Sequence, residues 1–239
     1  MISSTNPLSA SSGDNAVDIT DVDSMTPLWT PEAVIPPEIL KLPAPLSFFR
    51  ILRYLKMQRR TGWLNHGIRV ETAESIADHM YRMAVMCLLA PTEEKLDSRK
   101  CAMIALVHDL AEAVVGDLTP MDPVGAEEKH RRERETILYL ANQLKPVNPS
   151  ASAELTACYF EYEEQTTPEG RFVKDLDKFE FLLQTAEYEM DVKARTESKD
   201  VDIKSFWYAK EKITHPLVKE WTNQLIDERT QVLGEELHY

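Results

Sequence analysis

Within CAMIALVHDLAEAVVGD, an apolar helical face made by Ala102, Ala105 and Leu106 runs straight into a cluster of ionisable side chains, His108, Asp109 and Glu112. Apolar residues at this spacing turn one face of a helix towards an interior. His108 and Glu112 are four residues apart and share a face, with Asp109 beside them. The cluster is therefore carried inward by the same periodicity that buries the apolar residues. Buried carboxylates and imidazoles are costly unless a partner neutralises them. Any fold for this chain must supply that partner, and this mixture of side chains suits a divalent cation.

Two other segments offer matching side chains. His79 borders the apolar stripe Ile76, Met80, Met83 and Cys87 in AESIADHMYRMA. In RFVKDLDKFEFLLQTAEYE, Val173, Leu176, Phe179 and Leu183 form a buried face, and Asp175 and Asp177 both lie close to it. Helical spacing alone does not choose between these two aspartates. Each residue taken singly reads as structural, a core histidine or a helix-surface acid. Taken together, His79, His108, Asp109 and one further aspartate read as a metal-binding set.

The rest of the chain predicts an all-α protein. Only seven glycines occur among 239 residues, and no stretch alternates apolar and polar residues long enough to mark a strand. Helices are expected at about 45–60, 74–90, 98–114 (with Ser98 as N-cap), from 125 through the charged run EEKHRRERE, and at 151–165, 168–192, 203–212 and 215–235. Residues 1–44 hold six of the fourteen prolines, with six acids against one lysine. This predicts a disordered acidic tail ahead of a single domain at 45–239, although Trp29, Ile35, Ile39 and Leu40 offer a docking segment. No apolar run has the length of a membrane span, and no secretory signal is visible. Net charge is −13, which argues against a nucleic-acid surface. Cys87, Cys101 and Cys158 are an odd number without a CxxC pair, as expected of free thiols in the cytoplasm or nucleus.

HDLAE followed by GDLTP, ADHMYRMAVM, and FVKDLDKFEFLLQTAEYE resemble the HD-domain-containing protein 2 family of metal-dependent 5′-deoxynucleotidases, over about 45–235. The resemblance implies a single HD-type helical domain, commonly dimeric, that hydrolyses deoxyribonucleoside 5′-monophosphates. It implies a first ion held by His79, His108, Asp109 and Asp177, favouring Asp177 over Asp175. Glu112 and Asp117 become catalytic acids, and with the carbonyl of Leu118 they form a set for a second ion. Arg59 or Arg60, Trp63 and Asp117 become substrate contacts. Mixed imidazole and carboxylate donors suit Mn, Co, Fe or Zn at the first position, and an oxygen-only set suits Mg at the second.

Two other readings compete with this one. One is an HD hydrolase acting on nucleoside triphosphates, cyclic nucleotides or alarmone nucleotides, disfavoured by the absence of long insertions or a regulatory module. The other is a non-enzymatic interaction module with a structural metal, disfavoured by the extra carboxylates Glu112 and Asp117. EEKHRRERE reads mainly as a solvated helix face, with His130, Arg131 or Arg134 turned to a phosphate pocket as the alternative.

Overall fold

The computed structural model describes residues 28–195, 201, 203–234 and 237. Two one-turn helices, α1 (Pro31–Val34) and α2 (Pro37–Leu40), lead into α3 (Leu46–Met57) and α4 (Thr61–Asn65). Then come α5 (Ile76–Met86), α6 (Ser98–Val107) and the short α7 (Glu112–Val115). Four long helices follow: α8 (Ala126–Leu144), α9 (Pro149–Glu164), α10 (Pro168–Arg195) and α11 (Pro216–Leu233), with a 3₁₀ segment Lys204–Lys212 before the last. Among the described residues the only extended pairing is a single antiparallel bridge between Arg59 and Ser75.

Helix ends follow from local chemistry. Ser75 caps α5 in a reciprocal box, its Oγ accepting from the Asp78 N–H at 3.1 Å while the Asp78 carboxylate accepts from the Ser75 N–H at 2.8 Å. At α6 the cap is Asp97, not Ser98, because its carboxylate accepts from both Arg99 and Lys100 N–H groups. Pro149, Pro168 and Pro216 open α9, α10 and α11, where a missing N–H is harmless.

The core is organised by α10, which packs against α5, α6, α9 and α11. Its own Leu176 and Leu182 are fully buried, as are Ile76, Met83 and Ile104 on α5 and α6. Its approach to α9 needs Gly170, since a Cβ there would lie 2.3 Å from the Glu161 carbonyl oxygen. That close crossing brings the end of α9 beside the acids of α10.

The single helix expected over 98–114 is two helices. Between them, Leu110 N–H donates to Val107 and Glu112 N–H to Asp109, both three residues back at 3.0 Å. At three residues per turn, side chains three apart eclipse, so Asp109 and Glu112 point the same way. Gly116, at a φ of +87°, then turns the chain sharply after α7.

Within the expected tail, the docking segment is the part that the structure describes. Residues 1–27 lie outside the described residues, but 28–44 do not behave as a free segment. Ile35 and Ile39 join the main core cluster, and Arg132 lies over the Trp29 ring at 5.3 Å. Both terminal nitrogens of Arg131 donate to the Trp29 carbonyl at 3.3 Å. Enough apolar surface is buried here to hold a proline-rich segment, which composition alone did not reveal.

Truncation at residue 45 is therefore expected to destabilise the protein, while truncation at residue 28 leaves all these contacts in place. Two buried isoleucines contribute about 3 kcal/mol, which corresponds to a fall of roughly 5 °C or more in the thermal midpoint. Equal midpoints for the two truncations in a thermal melt would contradict the docking.

Candidate metal centre

His79 comes from α5, His108 and Asp109 from the tightened turn after α6, and Asp177 from α10. The four side chains converge. Asp109 Oδ2 lies 3.2 Å from His108 Nε2 and 3.9 Å from His79 Nε2, and His79 Nε2 lies 3.3 Å from Asp177 Oδ1. The two imidazole rings are 5.4 Å apart between centroids.

Outer contacts fix what these rings can do. His108 Nδ1 donates to the Ala105 carbonyl at 2.9 Å, which leaves Nε2 as the acceptor nitrogen. His79 Nδ1 makes a very short hydrogen bond to Glu180. Neither Nε2 has a hydrogen-bond partner, although both are buried. Two nitrogen lone pairs thus face two carboxylates, an arrangement of acceptors that only protons or a cation can hold together. Without an ion the proton serves: burial and Arg60 oppose charging His79, but Glu180 and Asp177 outweigh them and push it up to about 10. The donor set fits a divalent ion bound through both Nε2 atoms and the carboxylates of Asp109 and Asp177.

Glu180 is a functional candidate that sequence reasoning missed. It sits three residues after Asp177 on the same helix, a spacing that carried the signal. Its carboxylate holds His79 on one side and accepts from Arg82 Nε at 2.7 Å on the other. Arg82 is itself fixed by Gln184 at 2.6 Å and Glu187 at 2.7 Å. Such outer-sphere carboxylates orient metal-binding histidines and raise their basicity. Tyr162, also missed, donates to Asp177 at 2.5 Å.

Asp175 does something different. It is buried and accepts from Thr214 N–H and Oγ1, His215 N–H and Lys178, at 2.7 to 2.8 Å. Those contacts anchor the start of α11 and turn it away from the cluster.

His108, Asp109 and Asp177 line a cavity of about 280 Å³ whose lining side chains are all ionisable, and His79 lies behind them. Arg60 reaches it, 3.4 Å from Asp109 and 3.8 Å from Glu74, its backbone held by donation to the Glu74 carbonyl at 3.1 Å. Glu112 lines it with Oε2 unpartnered, and burial together with Asp109 and Asp117 raises its carboxyl well above the usual range. Asp117 lines it too, accepting from the Thr61 N–H at 2.5 Å. On the far wall stand Lys129, His130 and Glu133 from α8, with Lys174 from α10. Burial, opposed by Lys129 and reinforced by Asp109 and Glu163, brings Glu133 up to about 7.

One expectation is corrected here and two open alternatives are narrowed. Trp63 is 1% exposed and packs on Phe181, Tyr188 and Phe206, with its N–H on Glu74, so no ring face is left for a base. Arg59 pairs with Asp78 at 3.8 Å, and it is Arg60 that faces the cavity. From the charged run, His130 lines the cavity while remaining exposed, whereas Arg131 pairs with Glu128 and Glu135 and Arg134 covers Phe160. Lys129 and Glu133 were hidden in that run because solvated and inward-facing charges look alike in sequence.

An HD-domain family model matches residues 52–221. The 5′-deoxynucleotidase YGK1 of Saccharomyces cerevisiae is 47% identical over 209 residues, 84% of this chain and 94% of that protein. The 5′-deoxynucleotidase HDDC2 of Bos taurus is 42% identical over 185 residues, 77% of this chain and 85% of that one. A solved structure of the HD domain-containing protein YGK1 superposes with a TM-score of 0.63 at 36% identity, covering 87% of this chain and 100% of that one.

A cation that relieves the facing acceptors binds the folded state preferentially. Adding manganese(II) to chelator-treated protein is expected to raise the thermal midpoint, by several degrees at an ion concentration about a hundred times its dissociation constant. An unchanged midpoint at saturating ion would count against a metal centre.

Proposed function

The chain belongs to the HD-domain family, in its HD-domain-containing protein 2 branch, and from that premise we propose how it works as a metal-dependent 5′-deoxynucleotidase. The reaction consumes one water and breaks the bond between phosphorus and the 5′-oxygen of a deoxyribonucleoside 5′-monophosphate, giving deoxynucleoside and phosphate. One observation carries the reading: two unpartnered nitrogen acceptors meet two carboxylates, and His108, Asp109 and Asp177 of that set line a cavity of ionisable groups. A pocket of that kind suits a small, highly charged ligand.

His79, His108, Asp109 and Asp177 hold the first ion, drawn from Mn, Co, Fe and Zn on the chemistry of the donors. When bound, a divalent ion there supplies Lewis acidity and lowers the pKa of water towards neutrality. Arg60 orients the phosphate, since a guanidinium can hold two phosphate oxygens at once and this one is fixed by Asp109 and Glu74. Positive charge at that point also stabilises the equatorial oxygens during in-line displacement. Glu112 handles the proton that passes between water and the departing 5′-oxygen. Asp117 meets the sugar or, with Glu112 and the Leu118 carbonyl, a second ion such as Mg.

The same reading extends to assembly and location. Tyr81, Val85, Leu88 and Leu89 stand exposed along α5 and the turn after it, an apolar stripe suited to a second copy of the chain. No helix among the described residues is long and apolar enough to cross a membrane. A net charge of −13 fits small-nucleotide chemistry in the cytoplasm or nucleus better than nucleic-acid binding.

The direct test is phosphate release from a panel of deoxy- and ribonucleoside monophosphates, with chelation and metal add-back. Release that survives complete metal removal would sink the proposal. Glu112→Ala is expected to cut turnover on the order of a hundredfold while the first ion stays bound. Unchanged turnover with metal retained would make Glu112 a bystander.

The two aspartates separate cleanly. Asp177→Ala is expected to lose the first ion and turnover from a folded protein. Asp175→Ala is expected to keep the ion but lower stability by about 1 kcal/mol, because it removes the acceptor that Thr214 and His215 share at the start of α11. Metal loss in both variants, or in neither, would show the assignment to be wrong.

A further inference from the structure

The Lys129 ammonium already occupies an oxygen that the second ion needs. Its Nζ donates to the Leu118 carbonyl at 2.9 Å, and Leu118 belongs with Glu112 and Asp117 to the second-ion set proposed above. The other partner of Lys129 is Glu133, 3.6 Å away and one helical turn further along α8. Glu112, only 6% exposed, carries a buried Oε2 with no donor, facing the same cavity. Oxygen donors for a cation are thus present in excess of the one positive charge that serves them.

The neighbouring cations are committed elsewhere. Arg60 is held between Asp109 and Glu74. Lys174 lies 3.8 Å above the Tyr162 ring and 4.0 Å from Glu163. Among the described residues, Lys129 is therefore the charged side chain that caps the Leu118 carbonyl. Its stem begins in the first turn of α8 and the side chain is 31% exposed, so it has room to move.

An ammonium and a hard divalent ion seek the same oxygen donors, but their charges repel strongly at a few ångströms. Lysine suits the exchange better than arginine, being a compact charge on a flexible four-carbon stem. Glu133 stands ready to receive the displaced ammonium.

We propose that Lys129 is a resident cation that competes with the second divalent ion for the Leu118 carbonyl and the Glu112–Asp117 acids. At low metal concentration the site runs with one divalent ion and the ammonium. At higher concentration the second ion enters only as Lys129 swings towards Glu133. Lys129 thereby sets the metal concentration at which the second position fills. The inference rests on the second-ion set of the proposed function.

Equilibrium dialysis against manganese(II), counting ions bound per full-length chain, tests it in wild type, Lys129→Met, Lys129→Gln and Lys129→Arg. First-ion binding is expected to be the same in all four. The second ion is expected to bind on the order of tenfold or more tightly in the Met and Gln variants, and near the wild-type value in Lys129→Arg. Second-ion binding in the Met and Gln variants that is no tighter than wild type overturns the proposal. One ion per chain in every variant also overturns it, and removes the second-ion set as well, while the first-ion count still judges the rest of the site independently.

Discussion

Four acceptors facing one another hold the key position in this molecule. His79 Nε2 and His108 Nε2 are buried without donors, and Asp109 and Asp177 lie within 3.2 to 3.9 Å of them. No apolar packing could tolerate that meeting unless a positive charge sits inside it. The three segments involved, α5, the turn after α6 and α10, are also those that pack around the core. Core assembly and site assembly are one event: the apolar faces of these helices bring together groups that then require a cation.

The arrangement is held from outside by a second ring of contacts. Glu180 fixes the His79 ring and is fixed in turn by Arg82, which also reaches Gln184 and Glu187. Burial works against charging Glu180, yet His79 and Arg82 keep its carboxyl below the ordinary range. On the opposite side Tyr162 donates to Asp177, and the glycine at 170 lets α9 come near enough to do so. The tight turn at Leu110–Glu112 aligns Asp109 with Glu112, and the positive-φ glycine at 116 brings Asp117 back under the Thr61 N–H. Each device is local, cheap in chain length, and placed next to a side chain of the cluster or its cavity.

Much of this was legible in sequence because it follows helical periodicity. The apolar stripe beside His79 and the face leading into His108 predicted inward-facing ligands on α5 and α6, and the structure brings His79, His108, Asp109 and Asp177 together. Choosing Asp177 over Asp175 was not a matter of periodicity, since both border the same face; their hydrogen-bond partners separate them. Trp63 was misplaced, and Arg59 could not be told from Arg60, because the short helix α4 follows Arg60 and swings Trp63 into a small aromatic cluster, a tertiary effect with no sequence period. Lys129 and Glu133 lay hidden among salt-bridged neighbours, and only the packing of α8 distinguishes them. Docking of residues 28–44 was legible in Ile35 and Ile39 but was outweighed by the surrounding prolines and acids.

The most direct test of the central claim is anomalous diffraction at the manganese edge from crystals grown with that ion. The account predicts a peak enclosed by His79 Nε2, His108 Nε2 and the carboxylates of Asp109 and Asp177, with Glu180 still on His79 Nδ1. A well-diffracting crystal with no peak there, or with the ion bound elsewhere while those four groups pair only through protons, would contradict it.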